Sequence, residues 1–300
     1  MEIADCSDLR RHHSLDFSRQ HRLPYERLKG CGHRFLGQNL CIKSHVPSKL
    51  EVMKSIYLFG GRSELGNHVA TEIMSRTFGE FSKLIKIQRD SSSTAESEHQ
   101  LVWQPHTVSE VSEFLTSLSL KKGDLMIVAP GIIHVGDSIL GLSEIDPSKI
   151  HDLVWINFTL PLLVITHASR ELRLVGGGDI IVFTSAAAFP PQPNALIYSH
   201  VKRALDGLLR ASHGKFRSRN VRICLVRSAF SGTKLNEGRT PTPFSVSPLR
   251  VGQIVANRFL SGKDVIWVPA VFRLISFSLR FVPGLQNIAN RIVEASRQNR

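Results

Sequence analysis

The amino-acid sequence predicts an α/β fold whose sheet is parallel and doubly wound, with helices on both faces, and three observations support it. Short runs of β-branched and other apolar residues recur from residue 53 onward, and their uniform hydrophobicity is typical of strands buried on both faces. Longer segments with apolar residues at helical spacing separate these runs. The chain has 300 residues and is 42% hydrophobic, which is enough to build such a core. This alternation is typical of a Rossmann-type sheet in a single domain.

Predicted strands and helices alternate along the chain. The strands are 55–59, 84–87, 124–128, 179–183 and 221–226. The helices are 65–78, 108–118, 153–168 and 195–211. Folds of this type bind ligands at the carboxyl ends of their strands, so the residues that follow each strand are the functional candidates.

Residues 1–52 do not share this alternation, because they are rich in His and Arg and lack a regular hydrophobic period. We expect either a poorly ordered N-terminal extension or a translation start at Met53, directly before the first strand. The predicted folded domain spans residues 53–300.

Composition excludes several classes of protein. With 21% charged residues, the chain does not have the composition of a disordered protein, a collagen or a coiled coil. No stretch reaches the roughly 18 consecutive apolar residues of a membrane-spanning helix. The first 30 residues hold no apolar secretory-signal core. The 4 cysteines, at positions 6, 31, 41 and 224, lack metal-ligand spacing, so we expect reduced thiols in the cytoplasm and no bound metal.

The formal net charge of +13 suits an anionic partner, which could be a nucleic acid, an anionic membrane surface or a phosphorylated ligand. No dense run of Lys and Arg marks a nucleic-acid-binding arm, so we expect no nucleic-acid partner. General solubility is the other explanation for part of this charge.

A glycine-rich turn after the first predicted strand is the first candidate binding site. Its residues are Gly60, Gly61, Arg62, Ser63, Glu64, Leu65 and Gly66. Such a turn lets the backbone approach a dinucleotide pyrophosphate, which then lies on the helix N-terminus. Glu64 stands where a middle glycine is expected, and glycine-rich turns also connect strands to helices in many other folds.

The end of the second predicted strand bears on the choice between NADP and NAD. Dinucleotide-binding folds place an arginine there for a 2′-phosphate, or an acid for the ribose 2′-hydroxyl. Arg89, together with Arg62, favours NADPH, whereas Asp90 leaves NADH open.

Tyr198 and Lys202, four residues apart, are the candidate catalytic pair. On a helix this spacing places both on one face, where the ammonium can lower the phenol pKa by about 1–3 units and make it a usable general acid. The same spacing occurs at Tyr25 and Lys29, but no predicted strand supports that pair.

Two further side chains accompany the pair. Ser185 lies just after the predicted strand 179–183, where its hydroxyl can donate to a substrate carbonyl. Asn157 lies in an apolar helix, where its amide can hold a water against Lys202. Each residue alone is more readily explained as structural, but the order of the four favours catalysis.

The sequence resembles the short-chain dehydrogenase/reductase family over residues 53–240. The features that carry the resemblance are, in order, the turn at 60–66, Ala129-Pro130-Gly131, Asn157, Ser185, and Tyr198 with Lys202. The resemblance implies an NAD(P)H-dependent carbonyl reductase, in which Ala129, Gly131 and Thr233 also contact the cofactor, and a homo-oligomer. Two departures concern these contacts: Ala-Pro-Gly replaces the usual Asn-Ala-Gly, and Ser228-Ala229 replaces the usual Pro-Gly.

A narrower resemblance is to the subgroup of decaprenylphosphoryl-2-keto-pentose reductases. It is carried by 60–64, 129–131, 205–207, 247–248, 265–269 and Arg273. This resemblance implies a lipid-linked 2-keto sugar as substrate, a flavin-dependent oxidase as partner and a role in cell-wall arabinan synthesis. The alternatives are a reductase of a soluble ketone or ketoacyl group, and a non-catalytic dinucleotide-binding protein.

The C-terminal segment 271–282 is predicted to be an amphipathic helix. Arg273, Ser276 and Arg280 lie on a narrow polar face, and nearly all the other side chains are apolar. This pattern suits peripheral contact with the inner face of the plasma membrane by a cytoplasmic protein. The other interpretation is a helix packed on its own domain or on a second subunit.

Overall fold

The computed structural model describes residues 53–89, 99–133, 146–192, 195–229, 231–237 and 244–281. Among these residues, seven parallel strands form one sheet in the order β3-β2-β1-β4-β5-β6-β7. The strands are β1 (Lys54–Phe59), β2 (Phe81–Gln88), β3 (Gln100–Val102), β4 (Leu125–Val128), β5 (Gly178–Phe183), β6 (Val221–Ser228) and β7 (Val265–Val268). The predicted doubly wound parallel sheet is therefore confirmed.

Helices cover both faces of this sheet. They are α1 (Glu64–Arg76), α2 (Val108–Ser117), α3 (Pro147–Val154), α4 (Leu160–Leu174), α5 (Leu196–Arg217), α6 (Pro248–Leu260) and α7 (Val271–Phe281). A π-helical segment, Trp155–Thr159, joins α3 to α4, and a short 3-10 helix, Lys234–Asn236, follows β6.

Two hydrophobic cores lie on opposite faces of the sheet, because successive strand residues point to opposite sides. Tyr57, Met126 and Ile180 pack on the face covered by α2, α4 and α5. Their chain neighbours Ile56, Leu125 and Ile181 pack on the face covered by α1 and α6. Burial on both sides explains why the strands read as continuous apolar runs.

The predicted helix 153–168 is longer and less regular in the structure. It begins at Pro147, where Asp146 caps the N-terminus by accepting from the Ser148 N–H. The π-helical segment interrupts it at Asn157, whose side chain donates to the Leu153 carbonyl. Pro161 has no N–H to donate to the Asn157 carbonyl, so regular α-helical pairing cannot continue there.

The stretch Pro147–Leu174 is long and apolar enough to cross a bilayer by length and composition alone. Its Val164, Ile165, Ala168 and Leu172 are buried against the sheet, which is typical of the core helix of an α/β layer.

Several sequence-based expectations lie outside the described residues. They concern the extension 1–52 with its Tyr25 and Lys29, the alternative acid Asp90, and Val282. The side chain of Arg280 is also outside the description. Cys224 is the cysteine within it, and burial raises the pKa of its thiol to about 12, so it stays protonated at neutral pH.

Candidate active site

The turn between β1 and α1 is packed so closely that it requires glycine at position 60 and leaves no free space for a side chain at position 66. Gly60 has a φ of 84°, and a Cβ there would lie 2.9 Å from the Ala129 carbonyl carbon. A Cβ on Gly66 would lie 2.7 Å from the Leu58 side chain. The first turn of α1 is thereby brought against the carboxyl ends of β1 and β4, where its backbone is accessible to a phosphate.

Two side chains at the start of α1, those of the N-cap Ser63 and of Asn67, stabilise this turn. The Ser63 hydroxyl caps the helix by accepting from the Gly66 N–H at 3.2 Å. The Asn67 amide donates to the Gly61 and Ser63 carbonyls at 2.7 and 2.9 Å. The predicted residues Gly60, Gly61, Ser63 and Gly66 thus form one pre-shaped loop, and Leu65 packs beside them on the core of α1 and α6.

Glu64 has a contact that the sequence did not indicate. Its carboxylate accepts a hydrogen bond from the backbone N–H of Lys234 at 2.9 Å. The residue that replaces the usual glycine therefore ties the N-terminus of α1 to the segment after β6, which carries Thr233. A carboxylate is also favourable there because of the positive end of the helix dipole.

Arg62 and Arg89 are both exposed, and they follow the adjacent parallel strands β1 and β2. The carboxyl ends of adjacent parallel strands meet at one end of the sheet, so both arginines lie at the end that holds the glycine turn. This position suits recognition of a phosphate group.

Lys202 lies at the centre of the site. Its side chain is 3% exposed, and its Nζ donates to the carbonyls of Pro130 and Phe183, each at 3.3 Å. These two bonds place the ammonium between the ends of β4 and β5. Desolvation by burial lowers the pKa of Lys202 to about 8.

Tyr198 lies one turn before Lys202 on the same buried face of α5, and it is 8% exposed. Ser185 lies two residues beyond the end of β5 and is 6% exposed. The Ser185 oxygen accepts from the Ala187 N–H at 3.1 Å, which orients the hydroxyl while leaving its hydrogen to be donated. Ser185 and the Lys202 ammonium therefore lie at the carboxyl ends of the strands, and helical spacing puts Tyr198 on the same buried face of α5 as Lys202.

Asn157 is fully buried and bonded to the backbone. Its Nδ2 donates to the Ile132 and Leu153 carbonyls at 2.9 and 3.0 Å, and its Oδ1 accepts from the Ile132 N–H at 3.3 Å. Both amide hydrogens are thus used, so a water held by this side chain would have to donate to Oδ1.

Gly131 borders the space that such a water needs. A Cβ on Gly131 would lie 3.4 Å from Asn157 Oδ1 and 3.9 Å from Lys202 Nζ. The missing side chain therefore leaves room between the asparagine and the lysine.

The segment after β6 carries a buried hydroxyl, Ser231, which is 2% exposed and has no hydrogen-bond partner among the described residues. Thr233 lies two residues further along, and its backbone N–H bonds to the Ser231 carbonyl at 2.8 Å. An unpaired buried hydroxyl and a glycine turn that excludes side chains both fit a dinucleotide at this edge. Among the described residues, no group of His, Cys, Asp and Glu side chains could bind a metal ion.

The fold and this site together define an oxidoreductase of the dinucleotide-binding α/β class. Comparison with known proteins agrees: the family model for short chain dehydrogenases matches residues 56–243. The chain therefore belongs to the short chain dehydrogenase family and is an NAD(P)-dependent oxidoreductase, as predicted.

Individual relatives match the chain at low identity, one over most of its length and another over less than half. An uncharacterized oxidoreductase of Mycobacterium tuberculosis is 25% identical over 238 residues, which cover 76% of this chain and 93% of the relative. The human dehydrogenase/reductase SDR family member 4 is 30% identical over 122 residues, which cover 39% of this chain and 43% of that protein.

Two solved structures show the same fold. A short chain dehydrogenase from Burkholderia cenocepacia in complex with NADP has a TM-score of 0.65 at 16% identity, covering 79% of this chain and 97% of the other. ElxO with NADP bound has a TM-score of 0.58 at 18% identity, covering 72% and 97%.

Proposed function

We propose that the protein reduces a carbonyl compound with NAD(P)H and that Tyr198 supplies the proton. The observation that carries this proposal is the buried Lys202, which the Pro130 and Phe183 carbonyls hold one helical turn from Tyr198 and near Ser185. When bound, the reduced nicotinamide supplies the hydride to the carbonyl carbon.

In this proposal the four side chains have distinct tasks. Tyr198 donates its phenolic proton to the carbonyl oxygen as that oxygen gains charge. The Lys202 ammonium stabilises the resulting phenolate and binds the nicotinamide ribose. The Ser185 hydroxyl donates to the same oxygen and stabilises the developing alkoxide. Asn157 and Lys202 border the site of the water that returns a proton to Tyr198.

The cofactor lies along the glycine turn in this proposal. Gly60, Gly61, Ser63, Leu65 and Gly66 surround the pyrophosphate, and Ala129, Gly131 and Thr233 contact the nicotinamide half. Arg62 and Arg89 are placed to favour a 2′-phosphate, and the presence of NADP in the two structural neighbours supports the same preference. Fluorescence titration should therefore give a lower dissociation constant for NADPH than for NADH, and the reverse order would contradict this assignment.

Replacing Gly131 with alanine should lower kcat about tenfold with little effect on folding. The added methyl would fill the space between Asn157 Oδ1 and Lys202 Nζ at ordinary contact distances, so it excludes the water without straining the backbone. Steady-state kinetics at saturating NADPH measure the effect. A matched control is Gly207→Ala, because a Cβ at Gly207 meets nothing within 4 Å. Unchanged kcat in Gly131→Ala would contradict the water relay.

For the substrate, we propose a 2-keto-pentofuranose carried on a polyprenyl phosphate, which is reduced to an arabinofuranose donor for cell-wall arabinan. The resemblance at 205–207 and 265–269 supports this assignment. The surface of α7 also supports it: Leu274 and Phe277 are 69% and 65% exposed, and Arg273 beside them is exposed as well. A flavin-dependent oxidase would supply the ketone, and the protein would act as a homo-oligomer at the inner face of the plasma membrane.

The test is NADPH oxidation by the purified protein with three carbonyl compounds. These are the lipid-linked keto-pentose in detergent, an acetoacetyl thioester and 9,10-phenanthrenequinone. Turnover of the lipid-linked sugar at the highest kcat/KM supports the proposed substrate. Preference for the thioester supports a soluble ketoacyl substrate instead, and bound NADPH that no carbonyl compound oxidises would overturn the proposed reaction.

Replacing Leu274 and Phe277 together with serine should weaken binding to anionic vesicles by about 10²–10⁴-fold, since the two side chains together contribute about 3–6 kcal/mol when fully transferred. Co-sedimentation with phosphatidylglycerol vesicles measures the effect. Leu174→Ser is the matched control. Leu174 is 63% exposed and lies at the end of α4, near the amino ends of the strands, whereas α7 begins at their carboxyl ends. Equal vesicle binding with a smaller oligomer would instead assign this face to a second copy.

A further inference from the structure

A buried ion pair lies directly behind the candidate active site. Asp206 on α5 is 0% exposed and Arg227 on β6 is 4% exposed. The Arg227 Nε donates to Asp206 Oδ2 at 2.8 Å, and its Nη2 donates to Asp206 Oδ1. Both carboxylate oxygens and two guanidinium nitrogens are engaged, so the pair has the fixed geometry of a bidentate contact.

Thr184 connects this pair to Ser185. The Thr184 hydroxyl donates to Asp206 Oδ2 at 3.1 Å and lies 3.3 Å from the Val226 carbonyl. Thr184 directly precedes Ser185, and Asp206 lies one turn beyond Lys202 and two turns beyond Tyr198 on the buried face of α5. The carboxylate therefore joins the helix that carries the phenol to the segment that carries the hydroxyl.

Arg227 also contacts the chain that follows Ser185. Its guanidinium carbon lies 4.4 Å from the centroid of the Phe189 ring and 4.7 Å from that of Trp267. Phe189 lies four residues after Ser185, so contacts to the same ion pair fix the chain both before and after the serine. Cation–π contacts of this kind are strongest where water is excluded.

The register of the sheet does not need the ion pair. Strands β5 and β6 already pair through six residue partners, from Gly178 with Val221 to Phe183 with Val226. Buried ion pairs often contribute no more to folding than apolar residues of similar volume, because both charges lose their hydration. The ion pair instead fixes the position of one segment, because Thr184 bonds to Asp206 and Ser185 directly follows Thr184.

We propose that Asp206 and Arg227 are positioning residues that hold the Ser185 hydroxyl against Tyr198. This inference rests on the proposed carbonyl reduction, in which Ser185 and Tyr198 act on the same oxygen. A displacement of about 1 Å in such a group can cost about 10²-fold in rate, so a rigid support behind the serine has a kinetic consequence.

The first test compares Thr184→Val with Thr184→Ser. Valine keeps the volume but cannot donate to Asp206, whereas serine keeps the hydroxyl. With NADPH and 9,10-phenanthrenequinone, we expect kcat to fall about tenfold in Thr184→Val, with the dissociation constant of NADPH within about twofold of the wild type. Serine should restore most of kcat. Equal loss in both variants would assign the effect to packing and overturn the inference.

The second test replaces the pair as a whole. Arg227→Met with Asp206→Leu leaves no unpaired buried charge, so the variant should fold, and kcat should fall about 10²-fold. The matched control is Arg222→Met with Asp264→Leu, which removes an ion pair near the opposite end of β6, where Arg222 Nε donates to Asp264 Oδ1 at 3.1 Å. Equal kcat in the two double variants would overturn the positioning role.

Crystal structures of the Thr184→Val and Arg227→Met/Asp206→Leu variants with NADPH separate this inference from the proposed reaction. A Ser185 oxygen displaced by about 1 Å supports positioning even if the true substrate is another carbonyl compound. An undisplaced Ser185 in both variants overturns the inference whatever the enzyme reduces. A wild-type protein that reduces no carbonyl compound contradicts only the proposed reaction.

Discussion

Tyr198→Phe should lower kcat for carbonyl reduction by about 10²–10⁴-fold, because the ring stays in place while the proton donor is lost. The residue is 8% exposed, so the phenylalanine ring fills the same volume and the fold should be kept. The dissociation constant of NADPH, measured by fluorescence titration, should change less than threefold, since the proposed pyrophosphate contacts lie at the glycine turn.

Tyr57→Phe is the matched control for this experiment. Tyr57 is 6% exposed in the core on β1, so its replacement removes the phenolic hydroxyl of a buried tyrosine outside the catalytic group. Its kcat should equal that of the wild type. Activity in Tyr198→Phe that matches Tyr57→Phe would remove Tyr198 from the mechanism.

Lys202→Met should lower kcat by at least about 10²-fold, because no ammonium then stabilises the Tyr198 phenolate. In the wild type the pKa of Lys202 is lowered to about 8, so kcat should be constant below this pH and should fall as the pH rises through about 8. The variant should lack this inflection. A pH profile of kcat at saturating NADPH, identical in shape for both proteins, would contradict the role of the ammonium.

The same lysine makes stability depend on pH in a defined direction. In the unfolded chain its pKa is near the ordinary lysine value of 10.5, so between pH 8 and 10.5 the unfolded state holds a proton that the folded state has released. The free energy of unfolding of the wild type should therefore rise over this window, by up to about 3 kcal/mol relative to Lys202→Met.

Urea unfolding at several pH values measures this difference. Lys202→Met also leaves the Pro130 and Phe183 carbonyls without their donor, which costs about 1–3 kcal/mol for each buried group. The free energy of unfolding of the wild type minus that of Lys202→Met therefore includes this constant cost at every pH. The test of the Lys202 pKa is how much that difference changes with pH. A difference that stays constant from pH 7 to pH 10 would mean that the buried amine keeps an ordinary pKa.

Much of the fold can be predicted from the hydrophobic patterns of short sequence segments. Strands such as β4 are buried on both faces, so every side chain from Leu125 to Val128 is apolar and the strand is evident from sequence. That Tyr198 and Lys202 share one buried face of α5 follows from helical spacing in the same way. β3 was not predicted, because its residues Gln100–Val102 are only partly buried or exposed and give no such pattern.

Contacts between distant parts of the chain could not be read from the sequence. Glu64 looked like a defect in the glycine motif, yet it bonds to Lys234, 170 residues away. Asp206 and Arg227 are 21 residues apart and looked like ordinary charged residues. A buried aspartate on the apolar face of α5, at the same helical spacing as Tyr198 and Lys202, is the signal that could have pointed to a buried partner.

Helix α5 carries Tyr198, Lys202 and Asp206 on one face, and this limits which changes of sequence length the enzyme can accept. One residue inserted between Tyr198 and Asp206 would turn everything after it by about 100° and would carry Lys202 or Asp206 off the shared face. Near Gly214, where an added side chain meets nothing within 4 Å, the same insertion would leave that face intact. Related sequences should therefore tolerate changes of length at the end of this helix and forbid them in its first half.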